Sequence, residues 1–397
     1  MYFSGYLPAH LAKNEQDFSK QEMKHQNQKM LYNHALWILI FFFSWQSFFS
    51  VSHNRNIPIH FAMDKEYETV TQSEEVFSFE GKDSSLTHSI SLLSDKEGFP
   101  LLFYSDILTP VCIDNICKPM SIEIYWNLLG AYVGYGVFPE EPLTKYDHDL
   151  FEKVDYEKLH RLLLDRHSIL ERRKLSDLFD ANAAAKEKVQ FKGQEVDAIS
   201  GATKKEIKES VVEGALYSCY TIWHLVHGQA AQKMAQYLDS IYTPQLAEYF
   251  LNTDYEDYQR YALKHFDANT FETYLPRITE VFIDAKPLTR RYILKKLPKN
   301  LWEKEATTIQ LYQDFANLDI NSQTLLINNL EHAHAKAPEL LVTEVESMTK
   351  NHLRSYLRFL KSNPQLRTDA MRTAFEKIVA AQRYTYAYLI EAFLYEE

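Results

Sequence analysis

Seven consecutive residues, Asp197-Ala198-Ile199-Ser200-Gly201-Ala202-Thr203, have the composition of a loop that holds a phosphate. Gly201 lets the backbone approach an anion closely, while Ser200 and Thr203 offer hydroxyl groups. Behind the loop, the stretch 204–227 places Ile207, Val211, Val212, Ala215, Leu216, Tyr220 and Trp223 at spacings that suit a packed helix. A loop that opens such a helix presents unpaired amides and the positive end of the helix dipole, and this combination binds phosphate without side chains. Lys204 and Lys205 add positive charge or are simply solvated. The blander reading is an ordinary helix start in which Ser200 or Thr203 is a cap.

Other candidates carry less. His224 and His227 stand three apart and could touch one metal ion, but no third ligand has suitable spacing, so packing is the expected role. Glu331-His332-Ala333-His334 reads as a helix end with exposed histidines. Glu140, Glu141, Asp147 and Asp149 supply carboxylates that nothing pairs for acid–base work. The chain has no CxxC, HExxH or CxxCH run.

The segment Asp197–Thr203 resembles the motif of the FMN-binding domain family, whose members include flavin-bearing components of sodium-translocating NADH:quinone oxidoreductase and of the Rnf complex. In that family the threonine closing the Ser-Gly-Ala-Thr run carries FMN through a phosphoester bond, installed outside the cytoplasm by a flavin transferase. The resemblance implies that Thr203 is the attachment residue. It makes Ser200, Gly201 and Ala202 the loop around the phosphate, and Asp197 the acidic residue that opens the motif. It covers about residues 100–228, and its specific part is these seven positions. Lys205 stands where the family usually has a further Thr or Ser, and the family's upstream Glu-Thr-Pro-Gly segment has only a faint echo in Glu141-Pro142-Leu143.

The elements that must position this loop are readable in outline. Residues 64–98 are rich in Ser, Glu and Asp, and 53–99 reads as an extended region. From Pro100 onward strands are expected. Met120, Ile122, Ile124 and Trp126 alternate with Ser121, Glu123 and Tyr125, which predicts a half-buried strand, with a turn at Leu128-Leu129-Gly130 and a return over 131–137. A helix is expected over 155–165, followed by a polar, alanine-rich link at 180–188. All ten glycines lie at or before Gly228, so 229–397 reads as helices joined by short connections, with Pro244, Pro276, Pro287, Pro298, Pro338 and Pro364 at starts or breaks. Tyr261-Ala-Leu, Tyr292-Ile-Leu, Thr324-Leu-Leu, Tyr356-Leu-Arg and Tyr388-Leu-Ile recur every 31 or 32 residues, each after a second amphipathic stretch such as 301–315 or 340–348. Two helices per repeat is the signature of an α-solenoid. An irregular bundle is the alternative.

Compartment and charge narrow the function. The uncharged run Ala35–Val51 follows Lys24 and Lys29, and Ser50-Val51-Ser52 at its end offers small residues for cleavage, the pattern of a signal peptide, with translation starting at Met23 or Met30. An uncleaved anchor or a buried core helix are the competing readings. Cys112-Ile-Asp-Asn-Ile-Cys117 sets two cysteines across a two-residue turn, within reach of a disulfide in an oxidising compartment; in a cytoplasmic chain they would be two buried thiols. Cys219 reads as core. The net charge of −11, with no Lys/Arg block, argues against nucleic acid.

The expected fold is therefore an α+β FMN-binding-like domain at 100–228 followed by an all-α solenoid of HEAT/TPR-like helix pairs at 229–397, behind a leader and signal or anchor at 1–52. The expected function is an exported, periplasmic or membrane-face, flavin-carrying electron-transfer or redox-accessory protein whose partner is a redox protein or a flavin transferase. The alternative is an envelope scaffold that binds a protein or peptide on its helical repeats. Membrane attachment would come through the N-terminal apolar segment. A hydrolase has no supporting residue constellation.

Overall fold

In the second half of the sheet the strands carry almost no polar residue that faces water, so both of its faces must be covered. The computed structural model describes residues 59–60, 62–82, 86–111, 119–145, 148–174 and 205–395. Six strands, β1 (Ile59–His60), β2 (Gln72–Glu80), β3 (Thr87–Ser94), β4 (Pro100–Thr109), β5 (Met120–Asn127) and β6 (Tyr132–Gly136), form one antiparallel sheet in the order β1-β6-β5-β4-β3-β2. The 53–99 stretch thus supplies three strands of the sheet that continues beyond Pro100. Strand β5 corrects the half-buried expectation: Met120 through Trp126 are all buried. The reason is cover on both sides. On one face Trp126, Tyr132 and Tyr135 meet helices, and on the other Tyr125 packs edge-on against Tyr67 of α1 (Asp64–Glu68), with ring centroids 5.5 Å apart.

Turns behave as their residues dictate. The Asn127 carboxamide accepts from the amides of Leu129 and Ala131, and Gly130 takes φ +72°, so the expected β5–β6 turn forms. Helix α2 (Lys153–Leu164) begins where the Asp155 carboxylate accepts the Glu152 amide at 2.8 Å. The single helix expected over 204–227 is instead two: α3 (Lys205–Ser210) and α4 (Leu216–His227). Gly214, at φ +73°, turns the chain between them, and the Val212 amide donates to the Cys219 sulfur. Helix α5 (Gln229–Ile241) then lays Ala230, Met234 and Tyr237 on the sheet, where Tyr237 meets Phe77 and Phe103, and the Lys233 ammonium donates to the Ser78 carbonyl.

The chain divides into two compact units between Leu238 and Asp239, ten residues beyond the last glycine, because the apolar residues of α5 still serve the sheet. The second unit is helical. Its main helices are α6 (Pro244–Asn252), α7 (Glu256–His265), α8 (Ala268–Thr273), α9 (Leu275–Asp284), α10 (Pro287–Lys296), α11 (Lys299–Trp302), α12 (Glu305–Tyr312), α13 (Ile320–Asn328), α14 (Ala337–Thr343), α15 (Lys350–Ser362), α16 (Asp369–Ala381) and α17 (Ala387–Tyr395). Two rows of contacts run through it. One row joins α6, α9, α12, α14 and α16 in succession, and the other joins α7, α10, α13, α15 and α17.

Sequence sets these helices locally. Thr243, Asp267, Asp319, Thr349 and Thr368 cap helix starts with their side chains, and Pro244, Pro276, Pro287 and Pro338 occupy first-turn positions. The five recurring tripeptides all fall in the second row. Their register shifts, however. The buried pairs are Ala262-Leu263, Ile293-Leu294, Leu326-Ile327 and Tyr356-Leu357, so Thr324 stands one residue ahead of its structural counterpart and Tyr356 one residue behind.

Candidate functional site

The five residues expected to hold a cofactor, Asp197, Ser200, Gly201, Ala202 and Thr203, lie outside the described residues, as do the Cys112/Cys117 pair and the apolar run 35–51. The chain that follows the loop is described, and it is firmly held. Ile207, Val211, Val212 and Ala215 are buried, and Cys219 of α4 is fully buried beneath them, its thiol pushed up to about 12 by burial. A thiol in that state is packing, as the sequence suggested. Helix α4 is fixed in turn by two indoles: Trp126 Nε1 donates to the Val226 carbonyl at 3.0 Å, and Trp223 Nε1 donates to the Asp165 carbonyl at 2.9 Å. The residue two places after Thr203 therefore begins a segment anchored to the sheet through α4.

Both helix α4 histidines have structural partners. His227 Nε2 lies 2.8 Å from the Leu163 carbonyl, which requires the neutral tautomer protonated at Nε2, and burial lowers its pKa to about 4. His224 Nε2 lies 3.3 Å from the Lys82 ammonium, while Tyr220 and Trp223 flank its ring. Among the described residues no three His, Cys, Asp or Glu side chains are grouped to hold a metal ion. His332 sits beside Glu331 just past the end of α13, so the segment is a helix end, but His332 and His334 are half-buried and not exposed as expected, because the His334 amide donates to Trp302 and Thr308. Glu140 and Asp149 are exposed, and Asp147 lies outside the described residues.

Two buried polar groups escaped the sequence reading. Glu123, 5% exposed on β5, accepts from the Tyr104 hydroxyl at 2.8 Å and the Tyr125 hydroxyl at 3.4 Å. The tyrosine hydroxyl of Tyr132 lies 3.0 Å from His160 Nδ1, and burial holds His160 down to about 4. A lone Glu in an apolar strand was the available signal for the first; the second depends on the β6–α2 contact and left no local trace.

Comparison with known protein families, curated proteins and solved structures returned no match. Among the described residues no helix is long and apolar enough to cross a membrane.

Proposed function

We propose that this chain is an exported flavin carrier for electron transfer, or an accessory to it, with FMN held by the bend Ser200-Gly201-Ala202-Thr203 and attached at Thr203. The motif Asp197–Thr203, placed directly ahead of the anchored segment that α3 begins, carries this reading. Because α3 has only six residues, its dipole contributes little, and the hold on phosphate rests on loop amides, the Ser200 hydroxyl and the phosphoester. Bound FMN would supply one- and two-electron chemistry, while the protein sets its orientation and potential. FMN-binding-like describes the proposed identity of the α+β unit, and periplasmic or outer-face location follows from the leader at 1–52.

The test is the absorbance and fluorescence of protein exported from cells that contain a flavin transferase. Wild-type protein retains flavin through denaturation, and Thr203→Ala is colourless after the same treatment. Flavin retained by Thr203→Ala, or missing from wild type, contradicts the proposal.

A second reading, a scaffold acting through its helices, is favoured by a separate observation: each helix in either row touches its counterpart one pair along. That contact pattern supports an α-solenoid of HEAT/TPR-like pairs, an architecture that presents an extended face to a protein or peptide. In that case Thr203→Ala leaves partner capture by the full chain unchanged.

A further inference from the structure

Charge is divided between the middle helices of the two rows in a way that overall composition does not suggest. The chain is acidic, yet α10, α13 and α15 contain no Asp or Glu. Helices α9, α12 and α14 of the other row carry Glu280, Asp284, Glu305 and Glu339 against the single cation Arg277. On α10, Leu288, Arg291 and Lys295 recur at i, i+3 and i+7, so they lie along one stripe, and all three are exposed. On α15, Lys350, Arg354, Arg358 and Lys361 form the corresponding stripe at i, i+4, i+8 and i+11. Among the described residues, Arg291, Lys295, Arg354 and Arg358 pair with no carboxylate.

Between the cationic helices lies α13, which turns out neutral side chains, Thr324 and Asn328, and exposes 63% of Ile320 at its start; Leu288 is 59% exposed. The two cationic stripes are two helix spacings apart, about 16–20 Å. This is a broad patch in which cations are mixed with single apolar side chains. A linear acidic peptide can cross both stripes in about five or six extended residues, but its carboxylates offer nothing to Leu288 and Ile320. A headgroup layer takes both, because phosphates meet the cations while Leu288 and Ile320 enter the glycerol and acyl boundary.

We infer that the α10–α13–α15 face docks on an anionic phospholipid surface. The inference does not rest on the flavin reading, and loss of flavin and loss of lipid binding are separately readable. The test is co-sedimentation of the full chain with vesicles of phosphatidylcholine alone and of phosphatidylcholine doped with phosphatidylglycerol. The contrast between the two vesicle types isolates the cationic term from any insertion by the run 35–51. Binding to the anionic vesicles exceeds binding to neutral ones by about ten-fold or more at low salt and falls as salt rises. The triple variant Arg291→Gln/Arg354→Gln/Arg358→Gln loses that preference while its thermal midpoint is retained, and Arg277→Gln/Arg372→Gln, on the other row, keeps it. Equal binding to both vesicles, insensitivity to salt, or an unchanged preference in the triple variant overturns the inference. So does a face that ignores anionic vesicles but binds polyglutamate, which would assign it to an acidic polypeptide.

Discussion

Trp126 satisfies a carbonyl that its own helix leaves open. Val226 lies in the last turn of α4, where carbonyls have no intrahelical donor, and the indole N–H fills that role from the strand beneath. Trp126→Phe keeps most of the apolar contact and removes the donor, so unfolding by urea should show a loss of about 1–3 kcal/mol; an unchanged midpoint would contradict this bond's role. Gly130 is similarly constrained, since a Cβ there would lie 3.2 Å from the Ala231 carbonyl at φ +72°. Gly130→Ala should destabilise by about 1 kcal/mol or more, read by the same titration. The histidines give a pH dependence with a definite sign. His160 and His227 have pKa values lowered from 6.5 to about 4, so between those values the unfolded chain binds more protons than the folded one. Stability is therefore fully present above about 6.5 and drains away as pH falls toward 4. Thermal midpoints measured across that window should decline, and His227→Gln, whose amide can still donate to Leu163, should flatten the decline. A midpoint that holds or rises on acidification would refute the assignment. None of these pairings was legible in sequence, because each joins residues 28 to 100 positions apart.

At the scale of elements, one polar position stitches the helix pairs. Gln259, Arg290 and Gln323, at equivalent places in α7, α10 and α13, each donate to carbonyls near the end of the preceding helix or turn: Thr253, Phe282 with Ile283, and Phe315 with Ala316. Phe282 and Ile283 belong to the last turn of α9, so Arg290 answers another unpaired helix end. Arg290→Met should cost about 1–3 kcal/mol in chemical denaturation, whereas a neutral result would show that water replaces the guanidinium. The period of these helices was visible in the sequence because aromatic and aliphatic residues return at a helix-pair interval. Their register was not, since Leu325-Leu326-Ile327 offers two equally apolar pairs and only burial selects the second. The strand β5 was visible by alternation, but the burial of its polar face depends on Tyr67 and Tyr104 approaching from other elements. The break at Gly214 shows the limit of periodicity: apolar spacing continued through a turn that one left-handed glycine imposes.

For the whole molecule, the loss of glycine after Gly228 marked the start of continuous helix and not the edge of the first unit, because Met234 and Leu238 are still buried. The export reading bears on the cysteines. The run Cys112-Ile-Asp-Asn-Ile-Cys117 lies outside the described residues, and its spacing alone sets two cysteines across a two-residue turn, within reach of a disulfide. Protein secreted into an oxidising compartment should accordingly carry that disulfide, and thiol alkylation without reductant should leave both cysteines unlabelled; labelling of both would argue against export or against the pairing. The loop itself is legible by residue type and resemblance alone, and the proposed function rests on its flavin. The most direct measurement is the mass of the proteolytic peptide that contains Thr203, from full-length protein made together with a flavin transferase. The peptide should gain the mass of one FMN less one water, with fragmentation placing the addition on Thr203. An unmodified peptide from exported protein would contradict it.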